Sequence, residues 1–275
     1  MKRFGGLIGI MICFCNCGEC QAPLHPLLPV MNGPVAYSIK QQSVFGFAAN
    51  PASLGFVRQT GAGIISEKRY MLRAFTSAAA AAVVPFSPGG IGLQADYSTA
   101  GAYRAANFNV GYGRKLGDKA VLGVSFLYHQ LGVSGYGNAS VMSASFGAIF
   151  QVSEQVQTGF KIENPAGGRF GKNGVADLPV IYSFGCGLDA SQKFFTGFEI
   201  VKAEDQPLQV NACFSYRIVP VCLISGGVST ASSQVWAGAG FQLRPIRLGI
   251  AAFFHRQLGI TPALSIVFGS SKTKQ

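Results

Sequence analysis

One pattern repeats along the chain from Gly61 onward: segments of about ten residues in which large apolar side chains alternate with small or polar ones. The segment at 120–129 shows it most clearly, because Phe126 and Tyr128 point one way and Ser125 points the other. Successive side chains of a β-strand lie on opposite faces, so the alternation predicts strands with one apolar and one polar face. About ten residues is also the length at which a tilted strand crosses a bilayer. The pattern therefore predicts a barrel wall with its apolar face outward and its polar face inward.

Counting these segments predicts an all-β chain, a transmembrane antiparallel β-barrel of about fourteen strands. Linkers after the even-numbered segments are short, whereas the two longest, 130–138 and 165–177, follow odd-numbered ones. Outer-membrane barrels combine short periplasmic turns with longer external loops, so strand one is expected to rise from the periplasm. The predicted strands are 61–70, 73–84, 90–98, 104–113, 120–129, 140–151, 155–164, 179–188, 194–202, 208–218, 221–230, 234–242, 246–255 and 261–268.

Composition supports a membrane location for this surface. Charged residues make up 12% of the chain and hydrophobic residues 49%, and the charged share is about half that of a soluble domain. A helical membrane protein would need apolar runs of about twenty residues, yet beyond the first twenty residues the longest, 78–86, is much shorter. A secreted soluble all-β domain remains the alternative. Its second face should be charged, whereas here that face is Gly, Ser, Asn and Ala.

The N-terminus has the organisation of a secretory signal. Lys2 and Arg3 precede an apolar stretch at 4–15, and a polar stretch ends at Ala22. Residues 1–22 are therefore predicted to be a signal peptide cleaved after Ala22, with a membrane anchor as the alternative. Four cysteines, Cys13, Cys15, Cys17 and Cys20, fall inside this signal, so we expect no metal site and no cofactor from them.

The formal net charge of +11 raises the question of an acidic partner. Export and the lack of a lysine-rich tract or known motif argue against nucleic acid. The expected partners are outer-membrane lipid and lipopolysaccharide, whose phosphates suit a basic surface, and the barrel-assembly machinery.

Residues 23–60 lack strand periodicity and begin with three prolines, Pro23, Pro26 and Pro29. Such a length is too great for a simple tail, so the segment is predicted to fold into the barrel as a periplasmic or lumenal hatch. The barrel is then 61–268, and residues 269–275 form a C-terminal tail.

Within that segment, the run Asn50, Pro51, Ala52, Ser53 and Leu54 resembles the hatch motif of the FadL-type outer-membrane transporters of hydrophobic compounds, and also the related PorV-like proteins of Bacteroidota. Looser matches follow in the same order at 67–70, 113–116 and 163–165. The resemblance implies a fourteen-stranded barrel with an N-terminal hatch in its lumen, and it assigns the hatch to Asn50, Pro51, Ala52 and Leu54.

These features predict an integral protein of the Gram-negative outer membrane that passively transports a small hydrophobic solute through a hatch-gated lumen. The alternative is a non-conducting accessory or scaffold barrel of a secretion system, PorV-like and type IX, with a secretion-system partner. Inward polar positions are candidates to line the lumen, or simply to stabilise it by hydrogen bonds: Gln94, Asp96, Asn107, Asn109, Lys161, Glu163, Gln209, Asn211 and Arg217.

An enzyme is not expected. The three histidines are His25, His129 and His255, and a hydrolase would need a Ser and an acid within hydrogen-bond reach of one of them. Ser125 shares a strand face with His129 but lies four residues away, which is too far along a strand for contact. No catalytic residue is assigned.

Overall fold

The computed structural model describes residues 31, 33–171, 176–204, 206–230, 234–243 and 245–269. The predicted signal peptide lies outside the described residues, as do 23–30 and 32 of the predicted hatch segment and all of the predicted C-terminal tail except Gly269.

Fourteen antiparallel strands close into a barrel within this described part of the chain. Each strand pairs with its neighbours along the chain, and β16 returns to pair with β1, from Gly61↔Gly269 to Glu67↔Ala263. Closure leaves no free sheet edge, as a bilayer requires. The barrel strands are β1 (Gly61–Lys68), β2 (Thr76–Phe86), β3 (Gly89–Ala100), β4 (Tyr103–Leu116), β5 (Ala120–Val133), β6 (Gly137–Gln151), β7 (Val156–Glu163), β10 (Ile181–Leu188), β11 (Phe194–Ala203), β12 (Gln209–Val219), β13 (Cys222–Ser229), β14 (Gln234–Leu243), β15 (Ile246–His255) and β16 (Gly259–Gly269).

The predicted fourteen-stranded barrel is confirmed, and each predicted strand corresponds to one barrel strand. The prediction was wrong about the linker 130–138. Pairing of β5 with β6 continues to Val133↔Gly137, so only a three-residue turn separates two long strands. Pairing overrode the weak local signal there, because a hairpin extends for as long as both backbones can form the ladder.

Connections at the two ends of the barrel differ less in length than predicted. The turn end, defined by the connections after β2, β4, β6, β10, β12 and β14, has short turns throughout. At the opposite loop end most connections are short as well. The exception joins β7 to β10 and contains a small separate hairpin, β8 (Gly168–Phe170) and β9 (Ala176–Leu178), which sequence patterning did not predict.

The two faces of the wall are distinct. Large apolar side chains point outward and are exposed, Phe126 at 66% and Leu264 at 64% among them, whereas inward positions are mostly small or polar. An outer face of this kind is stable against hydrocarbon and unfavourable against water. No helix of the described residues is long and apolar enough to cross a membrane.

Residues 33–60 lie inside the barrel. They form a 3-10 helix (Pro34–Tyr37), a short α-helix α1 (Gly46–Ala49) and a second 3-10 helix (Pro51–Phe56). Asn50 separates the last two and caps the second, because its side-chain oxygen accepts a hydrogen bond from Ala52 N at 3.0 Å. A further 3-10 helix (Arg69–Met71) follows β1 at the loop end, where Tyr70 N donates to Thr261 Oγ1 at 2.9 Å.

The exposed outer face predicts a sharp contrast between two substitutions. Phe126→Arg places a charge near the middle of β5 in hydrocarbon and should cost about 2–4 kcal/mol of barrel stability. Tyr136→Arg, in the loop-end turn at a residue that is 91% exposed, should have little effect. Urea titration of the refolded protein in vesicles measures both, and equal stabilities would contradict a lipid-facing wall.

Candidate functional site

The four residues of the hatch motif lie deep in the lumen against the inner wall. Asn50, Ala52 and Leu54 are at most 1% exposed, and Pro51 is fully buried as well. Asn50 Nδ2 donates to the backbone oxygens of Phe160 at 3.2 Å and Ala148 at 3.5 Å, so its amide joins the segment to two neighbouring strands. Whether these residues act as a gate stays a prediction.

Glycines on the inner face of the wall make room for the segment. A Cβ added at Gly113 would lie 2.7 Å from Gly55 N and 2.8 Å from Leu54 Cβ, and one added at Gly123 would overlap Pro51 and Ala52. Only glycine allows so close an approach of two backbones. We call these positions the glycine belt, which consists of Gly92, Gly111, Gly113, Gly123, Gly147, Gly159, Gly185, Gly187 and Gly197.

Sequence reasoning missed the glycine belt because these glycines were counted as small residues of a polar lumen face. A usable signal was present. Nine inward glycines on seven consecutive barrel strands, β3–β7, β10 and β11, receive residues 34–55. Inward glycine grouped at one level of adjacent strands indicates a backbone packed against the sheet.

Tyr37 is the largest fully buried side chain of the segment. Its ring lies over Gly159 and Gly185, where an added Cβ would approach Tyr37 Cε1 to 2.7 Å and overlap the ring respectively. Burial, and secondarily the charge of Glu199, raises the pKa of the Tyr37 phenol well above its ordinary value. Tyr37 is therefore neutral and acts as a packing element.

A carboxylate at the turn end anchors the segment where it turns. Asp189, in the turn between β10 and β11, is 1% exposed. It accepts hydrogen bonds from Ser38 Oγ at 2.9 Å and Ile39 N at 2.8 Å. The same Ser38 oxygen accepts from Gln41 N at 2.9 Å. A buried carboxylate is stable only when it is hydrogen-bonded, so the fold holds these residues together as a unit.

The predicted lumen-lining residues all occupy inward register positions, and the structure groups several of them. Lys161 Nζ lies 2.8 Å from Glu163 Oε2 and also donates to Ala48 O of α1 at 3.4 Å. On the adjoining wall, Asn211 Nδ2 donates to buried Glu199 at 3.3 Å. Sequence reasoning did not include Glu199, since an alternating strand gives no sign of which inward acid will be buried.

A second polar group lies on β3 to β6. Gln94 Nε2 donates to both carboxylate oxygens of Asp96, at 2.8 and 3.0 Å. His129 lies between Asn107 Oδ1, at 3.0 Å, and Ser143 Oγ, at 3.1 Å. Asn109 is buried nearby on the same face of β4.

Gln209 and Arg217 lie apart from both groups. Gln209 Nε2 donates to Gln206 Oε1 at 3.4 Å near the loop end, and Arg217 is at the turn end of β12. Contact of any of the nine residues with a solute stays a prediction.

A cavity of about 330 Å³ opens at the turn end between the N-terminal segment and the wall. Val44, Phe47 and Leu54 line its segment side, and Gln242, Arg247 and Val267 line its wall side. Lys40 and Arg58 add two more cations, and none of the described residues that line it is acidic. The cavity thus combines apolar walls with a basic rim.

Above this cavity, inward side chains form an apolar cluster that we call the aromatic cluster, made of Phe195, Cys213, Trp236, Phe253 and Ala263. Trp236 and Phe253 are 3% and 1% exposed, and their ring centroids are 6.2 Å apart. Met31 and Val35 of the N-terminal segment pack against the cluster. The cluster closes the lumen on this side.

Solved structures with the same architecture are FadL-type barrels. The "CymD monoaromatic hydrocarbon channel" superposes with a TM-score of 0.64 at 12% identity, over 88% of this chain and 97% of that chain. The Pseudomonas putida toluene transporter TodX has a TM-score of 0.62 at 9% identity, over 89% of this chain and 96% of that one. A Pseudomonas aeruginosa FadL homologue has a TM-score of 0.59 at 11% identity, over 87% and 96%.

The chain therefore has the fold of the FadL-type barrels, and at such identities the likeness concerns fold alone. No protein-family model matches the chain, and no curated protein sequence is similar to it. The PorV-like resemblance and an origin in Bacteroidota stay predictions.

The glycine belt predicts a position-specific effect of one methyl group. Gly185→Ala would push Cβ into the Tyr37 ring, whereas at Gly240 the nearest atom to an added Cβ is 3.8 Å away. Overpacking should destabilise the Gly185→Ala barrel by about 1–3 kcal/mol, and Gly240→Ala should be close to neutral. Denaturant unfolding measures both, and equal effects would show that the segment does not press on the wall.

Removing the anchoring carboxylate should release residues 38–41. In Asp189→Ala, Ile39 N loses its acceptor, at a cost of about 1–3 kcal/mol. Limited proteolysis from the turn end should then cleave the segment faster than in the unmodified protein. Asp118→Ala, at an exposed acid in another turn of the same end, is the matched control and should leave cleavage unchanged.

Proposed function

We propose that this protein is an outer-membrane channel for passive transport of a small hydrophobic solute, with the N-terminal segment gating the lumen. The observation that carries the proposal is the division of the lumen. The segment fills one side against the glycine belt and leaves a cavity of about 330 Å³ on the other, with Val44, Phe47 and Leu54 in its lining and a basic rim. A continuous water-filled pore would instead suit polar solutes.

The chemistry of the lumen supports a hydrophobic solute. Val44, Phe47 and Leu54 at the cavity and the aromatic cluster above it offer apolar contacts, and concave apolar surfaces with a few polar groups are the usual form of small-molecule sites. The neighbours named as a hydrocarbon channel and a toluene transporter share this fold, which adds support by analogy.

The proposed location is the Gram-negative outer membrane, with the turn end in the periplasm. The long connection from β7 to β10 at the loop end supports this orientation, and the apolar outer wall supports the membrane location. Outer-membrane lipid and lipopolysaccharide and the barrel-assembly machinery are the proposed partners there.

Uptake by cells tests the proposal. Cells that display the protein in their outer membrane should accumulate labelled toluene or labelled fatty acid faster than cells with an empty vector, while uptake of labelled glucose stays equal. Barrel levels in the outer membrane are matched by immunoblot. Equal rates for every hydrophobic compound would overturn the proposal.

A second candidate is a non-conducting scaffold barrel of a secretion system. The closed packing favours it, because Tyr37, Phe47 and the aromatic cluster leave most of the lumen filled. Co-purification from gently solubilised membranes distinguishes the two candidates. A stable partner together with no uptake supports the scaffold, and a lone protein that transports supports the channel.

A further inference from the structure

The N-terminal segment presses on one side of the lumen far more than on the other. At the glycine belt, on β3–β7, β10 and β11, an added Cβ would meet atoms of residues 34–55. At the inward glycines of β13–β15 the nearest atoms belong to the wall itself. The three atoms nearest to an added Cβ at Gly240 belong to Leu223 and Leu248, at 3.8–3.9 Å, and at Gly249 only atoms of Ser265 lie within 4 Å. The segment therefore leaves the wall of β13–β15 uncovered at these positions.

Mostly small side chains line this uncovered part of the inner wall, and Leu223 is the larger inward residue beside Gly240. Ser225, Gly238, Gly240, Gly249 and Ser265 all occupy inward positions, since they pair in register across β13 to β16. Each is partly exposed, whereas the inward glycines at 92, 111 and 113 are buried. We call the space between these residues and the segment the wall gap.

The wall gap has an open end and a closed end. Toward the turn end it meets the cavity, whose wall side includes Gln242, Arg247 and Val267 from β14, β15 and β16. Toward the loop end it meets Trp236 and Phe253 of the aromatic cluster, with Met31 and Val35 opposite. One group of side chains thus separates the wall gap from the loop-end half of the lumen.

Trp236 is suited to move. Its indole Nε1 is buried without a hydrogen-bond partner among the described residues, so rotation of the ring breaks no hydrogen bond there. Gly227 lies under the ring, where an added Cβ would come to 2.7 Å of Nε1.

The segment, by contrast, is held by many contacts at once. Its displacement would break the hydrogen bonds of Asp189 to Ser38 and Ile39 and those of the Asn50 amide to the wall, and it would expose Tyr37. Rotation of the Trp236 and Phe253 rings breaks fewer contacts than displacement of the whole segment.

We propose that solute crosses the lumen through the wall gap, with Trp236 and Phe253 as the gate and the N-terminal segment fixed in place. This inference rests on the proposed passive transport of a hydrophobic solute, and it assigns the gating to these two rings in place of movement of the N-terminal segment. The segment contributes Met31 and Val35 to one side of the gate, and Trp236 sets the largest solute that passes.

A reversible disulfide between the segment and the wall tests whether the N-terminal segment stays in place during transport. In Ser38→Cys with Asp189→Cys, the two thiols replace side chains whose Oγ and Oδ1 atoms lie 2.9 Å apart, so a shift of about 1 Å allows a disulfide between the segment and the wall. We expect uptake by the oxidised and reduced double variant to be equal. Loss of uptake on oxidation, restored by reductant, would overturn the inference.

The unmodified protein, with Cys186, Cys213 and Cys222 free, is oxidised and reduced in parallel as the control. Its failure to transport in either state would overturn the proposed function itself, which separates the two outcomes.

Size variants test the route. Trp236→Ala should raise uptake several-fold and admit larger aromatic compounds.

Gly240→Leu should fill the wall gap and abolish most uptake, whereas Ala239→Leu, on the adjacent outward position facing lipid, should not. Equal uptake by Gly240→Leu and Ala239→Leu, with both barrels folded by their heat-dependent gel migration, would overturn the route. If Gly240→Leu fails to fold, the disulfide lock and Trp236→Ala decide.

Discussion

The pairing of β1 with β16 is the constraint on which the rest of the structure depends. In hydrocarbon every backbone N–H and C=O must be paired within the protein, so a sheet is stable there only when it has no edge. The seven residue pairs from Gly61↔Gly269 to Glu67↔Ala263 remove that edge. Closure with fourteen strands fixes the circumference of the barrel and therefore the width of its lumen. Inward side chains as small as glycine and serine cannot fill a lumen of that width.

The lumen is filled in two different ways as a result. On β3–β7, β10 and β11 the wall is reduced to glycine, and a folded segment of the same chain supplies the missing volume with Tyr37, Phe47 and Leu54. On β13–β15 the segment contacts the wall mainly through Met31 and Val35, which pack against the aromatic cluster with Trp236 and Phe253. The two sides of the lumen therefore differ: on one side the segment is packed against glycine, and on the other are the two aromatic rings that we propose as the gate.

The wall was predictable from the sequence because each strand carries its own two-residue alternation, as Phe126 against Ser125 illustrates. The hatch motif was found by resemblance; its four residues pack against the inner wall, and their action as a hatch stays a prediction. The glycine belt was not predicted, because its role arises from contacts between residues distant in the sequence, such as Tyr37 with Gly185. Glu199 was not predicted because alternation does not show which inward acid becomes buried. Local patterning also missed how far β5 and β6 extend, since cross-strand pairing and not composition ended them at Val133 and Gly137.

The N-terminal segment and the closed wall depend on each other for packing but not for backbone pairing. Tyr37 packs against Gly185 of the wall, while the pairing of Gly61 with Gly269 closes the barrel without any hydrogen bond to the segment. Loss of the segment would therefore leave the strand pairs of the barrel in place and would remove the side chains that fill the inner faces of β3–β7, β10 and β11.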